Sequence, residues 1–200
     1  ADAIYPRYKP ELRRFESMPE VECAAVDREQ AKRVWGDAKA MGEKSEKISD
    51  CLDIKKTLIR NKKTGGWLRP LSKDTKNKDS GAPCLVIVDE YHAHTSSEIV
   101  DVLKSGFGKR FQSLMVIIST AGKDAENNPC KKEYDYAMKV VNGEIINENY
   151  FAAIRELEEG DDPANPGCWV KANPILQHEN AYSVNLLKEI KEDYTRAYGS

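Results

Sequence analysis

The sequence predicts an α/β fold: a mostly parallel sheet flanked by helices. Two observations carry this reading. Residues 84–88 (CLVIV) and 114–118 (LMVII) are apolar runs without alternation, as expected of strands covered on both faces. Segments with helical periodicity lie between and around them, so strand and helix alternate along the chain.

The elements follow in order. Residues 21–26 (VECAAV) form a short apolar run, read as a buried strand. Asp27 and Gln30 have capping-box spacing, and Ala31, Val34, Trp35 and Ala38 share one face of a helix that runs to about Met41. Residues 55–60 and 67–71 read as two strands around Thr64-Gly65-Gly66, a hairpin signal. After the 84–88 strand, Thr95 and Glu98 repeat the capping-box spacing. Ile99, Val102 and Leu103 then give a helix ending near Gly106. Residues 130–142 form a helix with Tyr134, Met138 and Val141 on one side and Gly143 as its stop. Residues 150–157 (YFAAIREL) read as a strand, with helix as the competing assignment. The acidic stretch 156–162 leads into Pro163 and Pro166, a loop. Residues 183–198 are an amphipathic helix with Val184, Leu187, Ile190 and Tyr194 aligned.

Composition narrows the function classes. The 200 residues suit one domain, or one domain with an appended piece. With 40% hydrophobic and 32% charged residues, the chain is not collagenous, low-complexity or wholly disordered. Its longest strongly apolar run is far short of the ~20 residues of a membrane helix. The formal net charge is −2, so contact with nucleic acid requires a local patch. One candidate exists. Residues 55–78 hold nine Lys/Arg, among them Lys62, Lys63, Arg69 and Lys76, against the single acid Asp74. The competing reading is a solvated hairpin and loop. Trp67 lies within the stretch, as a base-stacking ring or as hairpin packing. Cys23, Cys51, Cys84, Cys130 and Cys168 are scattered without a CxxC pair, so neither a disulfide framework nor a zinc site is expected.

The segment that carries chemistry is 84–90. A buried strand delivers two adjacent acids, Asp89 and Glu90, at its C-terminal end, where open α/β sheets bind their ligands. Nucleotide hydrolysis needs one carboxylate to hold Mg²⁺ and another to orient or deprotonate the attacking water. Asp89 and Glu90 can divide these tasks, as in a Walker-B strand. The plainer reading is a strand that ends in two solvated acids. A second apolar strand ends in Ser119-Thr120-Ala121-Gly122, hydroxyls and small residues that also suit an ordinary turn. The interval between the two strands has room for one crossover helix, as parallel neighbours require.

Taken together, these motifs resemble a known family. Asp89-Glu90-Tyr91-His92-Ala93-His94, Gly106-Phe-Gly-Lys-Arg110 and Ile118-Ser-Thr-Ala-Gly122 look like the ATPase domain of tailed-bacteriophage terminase large subunits. The stretches 23–31 and 169–174 look like the family's strand–helix segment after the phosphate loop and the stretch that closes the domain. The resemblance implies a P-loop NTPase core of the helicase-like (ASCE) type. It implies a motor that uses ATP to move double-stranded viral DNA into a procapsid in the host cytoplasm. It also implies Mg²⁺, a portal protein and a small terminase subunit as partners, a homo-oligomeric ring, and no membrane.

By the same carry-over Asp89 is the Mg²⁺ ligand and Glu90 the catalytic carboxylate. Ser119, Thr120, Ala121 and Gly122 form the coupling motif, which senses the γ-phosphate. Arg110 matches an arginine of the family's G-x-R stretch, an arginine finger or sensor; otherwise it is an arginine at a helix end. Two departures are expected to matter. No phosphate loop of the form G-x-x-x-x-G-K-S/T occurs in the chain, and 105–110 lacks its spacing. No acidic cluster matches the family's nuclease site. The chain therefore reads as a fragment incomplete at its N-terminus. Residues 1–160 would be ATPase core, and 161–200 a closing loop and helix leading toward a nuclease domain. The alternative is a non-catalytic α/β module from a degenerate prophage gene that binds DNA or a partner. His92 and His94 are read either as loop packing beside the site, as a contact to DNA or nucleotide, or as two ligands of a metal.

Overall fold

A computed structural model of the protein describes residues 8–9, 14–15, 18–26, 28–71, 81–120 and 127–199. They form two compact units, Ala1–Met138 and Lys139–Ser200.

The first unit is built on a mixed six-stranded sheet. A short antiparallel pair, β1 (Tyr8–Lys9) and β2 (Arg14–Phe15), precedes it. The sheet strands are β3 (Glu20–Ala24), β4 (Leu52–Ile54), β5 (Ile59–Asn61), β6 (Trp67–Leu71), β7 (Leu85–Val88) and β8 (Leu114–Ile117), in the spatial order β4-β5-β6-β3-β7-β8. The pairs β6–β3, β3–β7 and β7–β8 are parallel, whereas β4–β5 and β5–β6 are antiparallel. The expectation of a mostly parallel sheet thus describes the half that carries the two apolar runs. The other half is a three-stranded meander. Its first strand, Leu52–Ile54, lies outside the predicted hairpin, and the expected strand 55–60 shrinks to Ile59–Asn61, because the Lys55 N–H is taken by the Leu58 carbonyl in a turn. The Thr64-Gly65-Gly66 turn is as predicted. Gly65 takes φ 74°, and the Asn61 side chain accepts the Lys63 and Thr64 N–H groups at 2.9 and 3.2 Å.

Strand alternation sends side chains to two cores. Val21, Cys23, Leu85 and Ile87 face helix α1 (Arg28–Lys44), packing with Trp35, Val34 and Ala38. Ala24, Val86 and Val88 face the opposite side, with Val100 and Leu103 of helix α2 (Glu98–Ser105) and Cys130 at the start of helix α3 (Pro129–Val141). Each such buried aliphatic side chain contributes about 1.5–3 kcal/mol. β7 is covered on both faces, as its lack of alternation predicts. β8 is not: it is the outer strand among the described residues, and Leu114 and Ile118 are half exposed. Helix α2 starts at Glu98 rather than at a Thr95 cap. Ser97 precedes it, and its hydroxyl donates to Asp101 Oδ2 at 2.7 Å. Among the described residues no helix is long and apolar enough to cross a membrane.

The second unit contains helices α4 (Trp169–Ala172) and α5 (Ala181–Tyr198). Residues 150–157 are neither strand nor helix. They pair with no strand of the described residues, and β propensity without a partner does not make a strand. Loop 156–162 is held by Lys171, whose Nζ meets Glu158 Oε2 at 2.6 Å and Asp161 Oδ1 at 2.8 Å. Trp169 is buried; its indole N–H donates to the Pro163 carbonyl and its ring lies 6.2 Å from that of Tyr194. Asn180 accepts the Ser183 N–H at 3.0 Å, which starts α5 two residues earlier than its apolar pattern suggests.

Candidate functional site

β7 and β8 run parallel with Val88 opposite Ile117, so their C-terminal ends emerge side by side. Backbone bonds fasten this end. The Asp89 N–H donates to the Ala24 carbonyl at 2.9 Å, the Ile118 N–H to the Val88 carbonyl at 2.8 Å, and the Tyr91 N–H to the Ile118 carbonyl at 3.2 Å. The chain then turns sharply. Glu90 takes φ 52° and ψ 48°, a left-handed conformation that costs a residue with a Cβ about 1–2 kcal/mol. Its N–H donates to Asp89 Oδ1 at 3.0 Å. A 3₁₀ turn, Tyr91–Ala93, follows, and the Tyr91 side chain is buried beneath it. Burial, with nearby Glu133 and Asp101, pushes the Tyr91 hydroxyl up to about 12. Strain of this kind persists only where the surroundings impose it, and it clusters at functional sites.

His92 extends this turn to β8. Its backbone N–H donates to Ser119 Oγ at 3.0 Å. Its ring Nδ1 lies 3.2 Å from Ser119 Oγ, 3.4 Å from Thr120 Oγ1 and 3.3 Å from Glu90 Oε2. Asn128 Nδ2 donates to the His92 carbonyl at 3.3 Å, and Cys130 Sγ stands 3.4 Å from Ser119 Oγ. The structure therefore brings Asp89, Glu90, Ser119 and Thr120 into one cluster. Ala121 and Gly122 lie outside the described residues. The bridging role of His92 has no spacing signature; only its place two residues after the second carboxylate pointed toward it. His94 is buried, its ring 5.5 Å from that of Tyr91. Among the described residues no group of three His, Cys, Asp or Glu side chains could hold a metal ion.

The remaining predicted residues sit elsewhere. The Arg110 guanidinium donates to the Met18 carbonyl at 2.9 Å, to Glu20 Oε1 at 3.2 Å and to the Ala82 carbonyl. Met18 and Ala82 precede β3 and β7 and Glu20 opens β3, so Arg110 stands at the other end of the sheet, a strand length of about 15 Å from Asp89. Lys62 and Lys63 are exposed on the β5–β6 turn at that same far end, Lys62 Nζ donating to the Asp50 carbonyl at 3.1 Å. Arg69 is mid-strand in β6, bound to Glu22 Oε1 at 2.8 Å and stacked 4.3 Å from the Trp67 ring centre. Lys76 lies outside the described residues. The run 21–26, read as simply apolar, thus conceals a fully buried carboxylate at Glu22.

Comparison with known proteins decides the family. The family model for the terminase large subunit ATPase domain matches residues 12–139. The chain belongs to this family. Within the terminase match lie both carboxylates, the Ser119–Thr120 pair and Arg110, while residues 169–174 fall beyond it. Over 121 residues the chain is 34% identical to Protein YmfN of Escherichia coli (strain K12), covering 60% of this chain and 26% of that protein. It shares its fold with the large terminase of bacteriophage HK97 at a TM-score of 0.72 and 18% identity, covering 92% of this chain and 37% of that one. The chain thus spans about a quarter to two fifths of the length of these relatives.

Proposed function

We propose that this chain is the catalytic part of a DNA-packaging motor, in which hydrolysis of MgATP drives translocation of double-stranded DNA into a procapsid. The observation that carries the reading is the pair Asp89–Glu90 at the end of β7, with Glu90 in a strained left-handed turn beside the Ser119–Thr120 hydroxyls. The donor set suits a magnesium ion that arrives with its nucleotide. Mg²⁺ keeps several waters and takes only one or two carboxylates besides the phosphate oxygens, so it requires no cage of protein ligands. Bound there, it would neutralise charge on the β- and γ-phosphates.

In this reading Asp89 supplies the magnesium-facing carboxylate. Glu90 accepts a proton from the attacking water or holds it in line. Ser119 and Thr120 offer hydroxyls to the γ-phosphate and pass its loss to the rest of the motor. The exposed Lys62–Lys63 turn is the basic surface open to DNA phosphates, and Arg110 reaches a nucleotide only across a subunit boundary. A ring of copies, the portal and a small terminase subunit complete the assembly. No phosphate loop occurs among these 200 residues, so they hydrolyse little ATP by themselves.

The test is ATP hydrolysis by the full-length protein, with and without DNA. Glu90→Gln should abolish turnover while leaving nucleotide affinity within about threefold, because the amide keeps the shape and loses the basicity. Turnover that survives Glu90→Gln would remove the proposal. DNA affinity should fall steeply with salt and weaken in Lys62→Ala/Lys63→Ala.

A further inference from the structure

We infer that His92 is a positioning residue that links the Glu90 carboxylate to the Ser119–Thr120 hydroxyls during hydrolysis. This rests on the function proposed above. One ring nitrogen serves both sides: Nδ1 is 3.3 Å from Glu90 Oε2, 3.2 Å from Ser119 Oγ and 3.4 Å from Thr120 Oγ1. A Ser–His–carboxylate relay instead uses the two ring nitrogens separately, so this cluster does not activate Ser119 as a nucleophile. In a neutral imidazole a given nitrogen either donates one hydrogen or accepts one. As donor, Nδ1 holds the Glu90 carboxylate. As acceptor, it takes a hydroxyl hydrogen from Ser119 or Thr120 and releases Glu90. The two arrangements exclude each other.

That exclusivity connects the strand ends. When a phosphate oxygen draws the hydroxyls away, Nδ1 is free to hold Glu90 in place for the water. When the phosphate leaves, a hydroxyl returns to Nδ1 and Glu90 loses its support. The backbone fixes His92 for this task, because its N–H is bound to Ser119 Oγ and its carbonyl receives Asn128 Nδ2. The side chains of His92 and Glu90 are 27% and 36% exposed, so both face solvent from which a nucleotide can enter.

The experiment measures kcat and KM for ATP, with and without DNA, in the full-length protein. The variants are His92→Leu, His92→Asn, Ser119→Ala and the double variant His92→Leu/Ser119→Ala, with Glu90→Gln alongside. His92→Leu should lower kcat about tenfold with KM within about twofold, since it misplaces the carboxylate without removing a nucleotide contact. His92→Asn should recover most of the rate, because its amide lies near the Nδ1 position and can donate or accept. The double variant should lose clearly less than the product of the two single losses, as expected for two residues coupled in one network. If leucine at this position prevents folding, His92→Gln, whose amide lies one carbon too far out, should show the same loss. A wild-type kcat in both His92→Leu and His92→Gln, no recovery in His92→Asn, or losses that multiply in the double variant overturns the role of His92. An active Glu90→Gln instead overturns the hydrolysis reading itself.

Discussion

Glu22 and Arg69 meet across neighbouring strands β3 and β6, with Arg69 Nη2 2.8 Å from Glu22 Oε1, on the face of the sheet where Ala24, Leu71, Val86 and Val88 are buried. The Glu22 side chain is 2% exposed and that of Arg69 is 32% exposed. Burial holds the Glu22 carboxyl above its usual range, and Arg69 pulls it part of the way back. Arg69→Met should therefore cost about 3–5 kcal/mol, because it strands a buried carboxylate, whereas Glu22→Leu/Arg69→Met should regain most of the loss. The pH dependence follows from the direction of the shift. A folded-state pKa above the unfolded one means that the folded protein binds more protons across the interval between the two values. Stability from this group is thus fullest at acid pH and declines as pH rises through that interval. Removing Arg69 raises the Glu22 pKa further and widens the decline. Urea denaturation at about pH 5 and about pH 7.5 should show a larger drop for Arg69→Met than for wild type, and Glu22→Gln should cancel the difference.

Arg110 gathers the Met18 carbonyl, the Ala82 carbonyl and Glu20 at the N-terminal edge of the sheet. Arg110→Ala should cost about 2 kcal/mol, because it leaves several charge-assisted hydrogen bonds unmade. Arg110→Lys should recover little, since a single ammonium cannot reproduce a planar fork. Thermal denaturation measures this directly. An Arg110→Ala variant with an unchanged melting temperature and a lost ATPase would show instead that the side chain serves the nucleotide of a neighbouring subunit.

What could be read in the sequence was whatever local pattern decides. The strands at 84–88 and 114–118 and the acids at 89–90 needed only an unbroken apolar run and its abrupt end. The hairpin turn needed only its glycines. Glu22 was invisible because its neutralising partner lies 47 positions away on another strand, and strand order is a tertiary fact. Leu52–Ile54 was missed because it is short and polar at its centre, and pairing with β5 alone makes it a strand. Arg110 stands near a family motif in the sequence, and only the strand order places it at the opposite end of the sheet from Asp89. His92 was legible as a residue near the site, and only the register of β7 on β8 makes it a bridge.

Gly106 marks a close approach that the sequence registered only as a helix stop. A Cβ there would stand 2.8 Å from the Gly81 carbonyl oxygen and 2.9 Å from Pro83 Cδ. Both belong to the segment that enters β7, so the backbone would have to move. Gly106→Ala should cost about 1–3 kcal/mol, the usual range for overpacking. At Gly108 nothing lies within 4 Å of the added carbon, so Gly108→Ala should stay within about 0.5 kcal/mol of wild type. Equal losses in the two variants, measured by chemical denaturation, would show that the approach at Gly106 is not tight.

Glu90 sits at φ 52°, where a Cβ crowds the following carbonyl. Glu90→Ala and Glu90→Gly both delete the carboxylate, so they differ only in the backbone. Glycine adopts this conformation freely, and it should leave the protein as stable as alanine does or up to about 1 kcal/mol more stable. Neither variant should hydrolyse ATP. Glycine's greater freedom in the unfolded chain opposes this gain, so a glycine variant that matches or exceeds alanine in urea denaturation still reports real strain in the folded turn. A glycine variant clearly less stable than the alanine one would mean that the turn relaxes once the carboxylate is gone. In that case the left-handed geometry would be imposed by the Glu90 side chain and its contact with His92, and not by the fastening of β7 to β8.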